Sequence, residues 1–82
     1  MSNIQKSDFT KEYTIGMKIY YVYSNVFTKT KELFELFISA VYPDMIIAWE
    51  SKGCAHMIGL EDEDNIYTER NIAEAFFRQI EV

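Results

Sequence analysis

Residues 13–23 read Tyr-Thr-Ile-Gly-Met-Lys-Ile-Tyr-Tyr-Val-Tyr, and the rest of the fold prediction starts from this stretch. Gly16 precedes residues 19–23, in which β-branched and aromatic side chains occupy odd and even positions alike. Successive side chains of a strand point to opposite faces, so this pattern is typical of a strand that is covered on both faces. The stretch therefore predicts a long strand that the chain enters through a glycine turn.

The segments on either side of this strand are more polar. After Met1, residues 1–11 are polar apart from Ile4 and Phe9, and they predict a loose N-terminal arm that Phe9 anchors to the barrel. After the strand, residues 26–31 contain Lys29 and Lys31 and predict a basic loop.

Residues 32–42 fit two structures. With a period of two, one apolar face holds every second residue: Phe34, Leu36, Ile38, Ala40 and Tyr42. With helical spacing, the apolar stripe is Leu33, Phe34, Phe37, Ile38 and Val41, with Thr30 as a cap and Pro43 as a stop. We favour the strand because two more strand-like runs follow directly, and the helix remains the alternative.

Those two runs, residues 45–50 and 54–60, are separated by Ser-Lys-Gly at residues 51–53. This spacing predicts a hairpin with Gly53 at a position of positive φ. The acidic run at residues 61–65 is expected to break the sheet.

A C-terminal helix is predicted over residues 68–81, with Thr68 as its N-cap. This helix is expected to pack across one open end of the sheet. Its apolar residues recur at spacings of three and four: Ile72, Ala73, Phe76, Phe77 and Ile80.

Length and composition complete the fold prediction. Eighty-two residues allow one domain, 1–82, made of the arm (1–11), a β-rich part (12–67) and the helix (68–81). An apolar content of 49% predicts a packed core rather than disorder. We therefore expect an α+β, mainly β domain: a small antiparallel sheet or partly open barrel of about four to five strands with a C-terminal helix.

Three stretches carry a resemblance to a known family: Ile15-Gly16-Met17-Lys18-Ile19-Tyr20, Lys52-Gly53 and Ile66-Tyr67-Thr68-Glu69. In this order the chain resembles a Src-homology-3-like small barrel, although it lacks the aromatic and acidic pocket motif of the peptide-binding members. In length, acidity and composition it is also similar to small early proteins of large tailed bacteriophages. That likeness implies a protein that binds a host enzyme and alters its activity.

Few residues suggest catalysis or metal binding. Cys54 is the single cysteine, so no internal disulfide forms and a reducing cytoplasm is expected. His56 lies two residues further on, but structural zinc takes about four ligands and catalytic zinc about three. We expect a structural cysteine, a surface or half-buried histidine, no cofactor and no enzymatic activity.

The acidic run Glu61, Asp62, Glu63 and Asp64 lacks the ligand spacing of a calcium-binding EF-hand loop. It is interpreted either as a solvated connection or as a surface that steers a basic partner or mimics phosphates. The net charge of −5 makes direct nucleic-acid binding unfavourable. The partner is therefore expected to be a protein with a basic surface.

Aromatic residues supply the other candidate binding surface. Six Tyr, six Phe and one Trp are many large side chains for one small core, so some of them are expected to be partly exposed. The candidates are Tyr20, Tyr21, Tyr23 and Trp49, and adjacent Tyr20 and Tyr21 must point to opposite faces. One of these two is expected on the surface, within a partner-binding site that also includes the four acidic residues.

The functional expectation is a non-enzymatic, acidic protein-binding module. Its specific form is a phage-type inhibitor or modulator that occludes a host protein, such as a nucleic-acid-handling or defence enzyme. The alternative is a structural or assembly subunit that forms homo-oligomers through an exposed sheet edge. No secretory signal or membrane span is recognised, so we expect a cytoplasmic monomer or homodimer without a membrane partner.

Overall fold

Within residues 9–81, which a computed structural model describes, the chain forms one five-stranded antiparallel sheet followed by a helix. The elements are β1 (Lys18–Asn25), β2 (Thr30–Tyr42), β3 (Met45–Trp49), β4 (Ala55–Gly59), a 3-10 helix (Leu60–Asn65), β5 (Ile66–Tyr67) and α1 (Arg70–Gln79). The prediction of a mainly β domain with a C-terminal helix is confirmed, and residues 32–42 belong to a strand.

The strands lie in the order β4-β3-β2-β1-β5. β2 has 13 residues and is the central strand, because its first half pairs with β1 and its second half with β3. It begins at Thr30, so Lys31 belongs to the strand rather than to the basic loop, which is confined to residues 26–29.

Two glycine turns form as predicted. Gly16 has a φ of +91°, and its N–H donates to the Ile38 carbonyl at 2.7 Å. Gly53 has a φ of +101°, and its N–H donates to the Glu50 carbonyl at 2.9 Å, which closes the β3–β4 hairpin. Residues other than glycine rarely adopt a positive φ, so both positions favour glycine.

A β-bulge changes the facing of β2 in its second half. Ile38 is paired with Ala48, but Ala40 is paired with the next residue along β3, Ile47, so one residue of β2 is unmatched. Because directly paired residues share a face, Ala40 and Tyr42 lie on the face opposite to Ile38. The predicted single apolar face from Phe34 to Tyr42 is therefore wrong beyond residue 38.

We call the face of the sheet that carries the main core the inner face. The segment at residues 9–17 and the 3-10 helix pack on it, and the Phe9 ring lies 5.5 Å from that of Tyr13. The predicted anchoring role of Phe9 is confirmed, whereas residues 1–8 of the predicted arm lie outside the described range. The buried inner-face residues from the strands are Ile19, Leu36, Ile38, Ile46, Ala48, Ile58 and Ile66.

The opposite face, the outer face, is partly covered by α1, which packs against β1, β2 and β5. Ala73 is fully buried there against Tyr20 and Val22. α1 begins at Arg70 with Glu69 as its N-cap, so the prediction that Thr68 caps it is wrong. Ile72 is 51% exposed, which shows that it lies outside the packed side of the helix.

Lys31 fixes the C-terminal end of α1 to the sheet. Its Nζ donates to the carbonyls of Phe77, at 2.9 Å, and Ile80, at 3.1 Å. The same Nζ lies 4.5 Å from the centre of the Phe77 ring. The last carbonyls of a helix lack intrahelical partners and carry partial negative charge, so a lysine here satisfies them.

Candidate functional site

The part of the outer face that α1 leaves uncovered is apolar. Strand pairing places Phe37 beside Trp49 and Tyr42 beside Met45. It also places Ile47 between Ala40 of β2 and Met57 of β4. We call this surface of β2, β3 and β4 the open face; its residues are Phe37, Ala40, Tyr42, Met45, Ile47, Trp49 and Met57. None of them carries a charge.

Several open-face side chains are strongly exposed. Met57 is 72% exposed, Tyr42 48% and Trp49 43%. An ion pair between Lys18 and Glu35, at 3.3 Å, lies between this surface and the helix. A contiguous exposed apolar surface on a small domain is typical of an interaction site, and aromatic residues and Met are enriched at the centre of protein interfaces.

The open face continues to a free strand edge. Two bonds fix the alternation of β4: Leu60 N–H to the Asp44 carbonyl, at 3.1 Å, and Glu50 N–H to the Cys54 carbonyl, at 2.8 Å. In an antiparallel ladder, residues alternate between those bonded to the neighbour and those directed away from it. The backbone groups of Ala55 and Met57 are therefore directed outward, where no strand within residues 9–81 pairs with them.

A second candidate site is an open pocket of about 240 Å³ on the inner face. We call it the aromatic pocket; it is lined by Tyr21, Tyr23, Glu32, Phe34 and His56. The β1–β2 register positions it, because Tyr21 is paired with Phe34 and Tyr23 with Glu32. The His56 ring lies 4.5 Å from the Phe34 ring.

Carboxylates surround this pocket. Glu50 Oε2 lies 2.6 Å from His56 Nε2. Burial raises the pKa of Tyr21, and the negative charges of Asp62 and Glu61 and the nearby Tyr23 raise it further. Two of the four carboxylates of the 3-10 helix, Glu61 and Asp62, therefore lie within electrostatic reach of the Tyr21 hydroxyl.

The acidic run does not form one solvated surface. Glu63 is 4% exposed and binds the segment that crosses the inner face. Its carboxylate accepts hydrogen bonds from the Thr10 and Lys11 N–H groups, the Thr10 hydroxyl and the Tyr13 hydroxyl, all at 3.0–3.2 Å. Burial and this carboxylate raise the pKa of Tyr13. Glu63 thus joins the 3-10 helix to the segment at residues 10–13.

The other acidic residues have separate surroundings. The pKa of Asp62 is raised by partial burial and by the charge of Glu61. Asp64 is exposed. The pKa of Tyr67 is raised first by the burial of its own side chain and second by the negative charge of Asp64. Glu61 and Asp62 therefore add negative charge near the aromatic pocket, and Asp64 adds negative charge near β5.

The predicted binding residues are divided among several places. Tyr20 is 9% exposed beneath α1 and cannot touch a partner while the helix is docked. Tyr21 and Tyr23 line the aromatic pocket, and Trp49 lies on the open face. Sequence reasoning did not select Phe37, Tyr42 and Met57 for the open face or Glu32 and Phe34 for the pocket; the only signal for them was the strand register.

Cys54 and His56 are not hydrogen-bonded to each other within residues 9–81. Cys54 is exposed, contrary to the expected structural role, and its thiol has no hydrogen bond within residues 9–81. His56 Nε2 contacts Glu50 instead. In the described part of the chain, no three His, Cys, Asp or Glu side chains gather to hold a metal ion. No helix there is long and apolar enough to cross a membrane.

Comparison with known proteins gives no relative. No protein-family model, curated protein or solved structure matches this chain. The resemblances to Src-homology-3-like barrels and to small phage proteins therefore stay predictions.

Proposed function

We propose that this chain is a non-enzymatic protein-binding module that docks a partner on its open face. One observation carries the proposal: adjacent strands present an uncharged apolar surface with Trp49, Tyr42 and Met57 exposed. Water contact with such side chains costs free energy, roughly 25 cal/mol per Å² of apolar surface, and a partner that covers them removes that cost. Trp and Tyr are also the residues that most often dominate binding energy.

The free edge of β4 offers a second contact beside this surface, namely outward-directed backbone groups that a partner strand can bind. A partner strand that pairs with the outward backbone groups of Ala55 and Met57 extends the sheet. Alternate side chains of the added strand then lie beside the open face. Main-chain hydrogen bonds supply affinity in this mode, and the aromatic surface supplies selectivity.

The charge of the chain favours a basic partner that presents an apolar centre. The net charge is −5, whereas the open face itself is uncharged. Acidic residues outside the contact area then speed the encounter without being buried. The module acts by occlusion, since it covers the partner surface that it binds. The narrower prediction, a phage-type inhibitor of a host enzyme, depends on the identity of the partner.

A homo-oligomer is the second candidate, and a specific observation favours it. Residues 55–59, Ala-His-Met-Ile-Gly, form a free edge without lysine, proline or acidic residues. Proteins usually protect free edges with such residues, because two unprotected edges pair with each other. A second copy joined β4 to β4 would extend the sheet across both chains.

Size and capture measurements separate these functions. Sedimentation of the purified chain from micromolar to submillimolar concentration should give a monomer, and a dimer that Met57→Lys disperses would support the homo-oligomer instead. Immobilised wild type should then capture a protein from a bacterial lysate that the variant Trp49→Ser/Met57→Ser fails to capture. Ile72→Ser, on the exposed side of α1, is the matched control and should capture normally.

The captured partner must also bind in purified form. Trp49 is the single tryptophan, so its fluorescence should shift to shorter wavelength when the open face is covered. A monomer whose captured proteins bind wild type and the Trp49→Ser/Met57→Ser variant equally would contradict the proposal.

A further inference from the structure

The aromatic pocket combines aromatic rings with a carboxylate. Tyr21, Tyr23 and Phe34 supply three rings, and Glu32 lies directly across from Tyr23 in the β1–β2 pair. Asn25 Nδ2 donates to the Tyr23 hydroxyl at 3.2 Å, which holds that ring in place. The face of an aromatic ring carries negative charge density and attracts cations, most strongly where water is partly excluded.

Acidic side chains dominate the charged groups at this pocket. The basic side chain in the lining is His56, and its Nε2 lies 2.6 Å from the Glu50 carboxylate. The Glu32 carboxylate adds another negative charge, and within residues 9–81 it has no ion pair of its own. The pocket is therefore complementary to a positive ligand.

The lysines of the two strands do not neutralise this charge. Lys18 and Lys31 both belong to the outer face, where Lys18 pairs with Glu35 and Lys31 binds the end of α1. Strand alternation keeps their side chains on the side of the sheet opposite to the pocket.

The size of the pocket limits the ligand. Its volume is about 240 Å³. Sites for metabolites and cofactors usually enclose roughly 300–1,000 Å³. A single long side chain fits the smaller space, and a planar guanidinium group both stacks on aromatic rings and forms paired hydrogen bonds with a carboxylate.

We propose that the aromatic pocket binds the guanidinium or ammonium group of a basic side chain presented by another polypeptide. The rings of Tyr21, Tyr23 and Phe34 contact the cation, and Glu32 pairs with it. This site lies on the opposite side of the sheet from the open face, so it does not depend on the function proposed for that face.

Two natural reporters allow a direct test. His56 is the only histidine and lines the pocket, whereas Trp49 is the only tryptophan and lies on the open face. Titration with N-acetylarginine amide, followed by NMR, should move the His56 ring signals in a saturable way and leave the Trp49 indole signal in place. N-acetylcitrulline amide has nearly the same shape without the charge, and it should not produce a saturable shift.

Variants at exposed positions test the named contacts without disturbing the core. Glu32→Gln and Tyr23→Leu should each weaken arginine binding by about threefold to tenfold. Glu69→Gln removes a carboxylate elsewhere on the surface and should bind like wild type. Circular dichroism of each variant confirms that the sheet is retained.

Three results would overturn the proposal. They are equal shifts with the arginine and citrulline amides, unchanged affinity in both pocket variants, and tighter binding of tetramethylammonium than of the arginine amide, which would indicate a small free cation instead. Partner capture by the open face is measured separately with the Trp49 variant. An absence of His56 shifts would therefore contradict only the pocket proposal, and normal capture by the Trp49 variant would contradict only the open-face proposal.

Discussion

Glu63 shows how much one side chain contributes to this fold. Its carboxylate is almost fully buried and accepts hydrogen bonds from Thr10, Lys11 and Tyr13, which lie about fifty residues earlier in the chain. A buried carboxylate is stable only when its oxygens are satisfied by donors. Glu63 is therefore one of the contacts that hold this segment on the inner face, beside the packing of Phe9 and Tyr13 against the core.

Replacing Glu63 by Gln should lower the free energy of unfolding by about 2–3 kcal/mol, because an amide NH₂ would then face N–H and O–H donors. Urea unfolding measures the change. Glu61→Gln is the control, since Glu61 is exposed, and it should change stability by less than about 0.5 kcal/mol. Equal effects of the two changes would show that the carboxylate of Glu63 is not structural.

Tyrosine burial predicts a loss of stability at high pH. Burial is the leading cause of the raised pKa values of Tyr13, Tyr21 and Tyr67. In the unfolded chain these phenols ionise at the ordinary tyrosine pKa of about 10. A group whose pKa is higher in the folded state stabilises the fold fully below the unfolded pKa, and this contribution is lost as pH rises above it.

The free energy of unfolding should therefore fall as pH rises above about 10. Tyr13→Phe removes one of these phenols, so its stability should fall less steeply over the same pH range, whatever its value at neutral pH. Urea unfolding at several alkaline pH values gives both slopes, and parallel slopes would contradict the role assigned to Tyr13.

At the scale of elements, α1 and β2 are joined by Lys31. The lysine lies on the strand, and its Nζ reaches two carbonyls at the end of the helix and the ring of Phe77. A charged donor gives stronger hydrogen bonds than a neutral one, and cations near a helix C-terminus are favourable. This contact determines how firmly the last turn of α1 is held on the outer face.

Lys31→Gln should cost about 1–2 kcal/mol in the free energy of unfolding. Lys52→Gln, in the exposed β3–β4 turn, is the matched control and should be nearly neutral. Hydrogen exchange adds a local measurement: amides in the last turn of α1 should exchange faster in Lys31→Gln, while those of β3 stay unchanged. Uniformly faster exchange would mean that Lys31 supports the whole domain rather than the helix end.

The sequence was informative about elements and less so about their faces. Alternation and glycine turns predict β1 to β4 correctly, because those signals are local: Gly16 and Gly53 adopt positive φ, as expected. The two-residue strand β5 is not predicted in this way. The bulge in β2 was not predictable, since one unmatched residue leaves no local mark. Consequently, regular alternation predicts the wrong face for Tyr42. Of the open-face residues, only Trp49 is among the predicted binding residues.

The candidate sites were predictable only in part for the same reason. Tyr21, Tyr23 and Trp49 were selected and do lie on accessible surfaces, whereas Tyr20 is covered by α1. Which of two adjacent tyrosines is covered depends on where a distant helix packs. Glu63 was grouped with its acidic neighbours because its partners, Thr10 to Tyr13, are far away in sequence.

At the scale of the whole molecule, α1 divides the outer face into a covered and an exposed half. Beneath the helix lie Tyr20, Val22 and Leu33. These residues belong to the same sheet face as the open face, so the helix limits how much apolar surface meets water. Without it, the entire outer face would be exposed.

Deleting residues 68–82 should therefore give a product that aggregates or loses fixed packing. Sedimentation should detect assemblies, and the near-UV circular dichroism of the aromatic residues should weaken relative to the full chain. Ile72→Ser serves as the control, because it alters the exposed side of α1 and should leave the full chain monomeric. A truncated chain that stays monomeric and unfolds cooperatively would contradict this account.

The bulge in β2 has a consequence for how this protein tolerates changes in length. Between Ile38 and Ala40 the central strand contains one residue more than its partner strand, and this extra residue moves Ala40 and Tyr42 to the face opposite to Ile38. Removing Ser39 would leave a regular strand in which Ala40, Val41 and Tyr42 keep their present faces. Removing Leu36 would move the side chains on one side of the deletion to the opposite face of the sheet. A single-codon deletion is therefore tolerable at Ser39 and damaging a few residues earlier, so natural length variation in the centre of this sheet is expected at that one position.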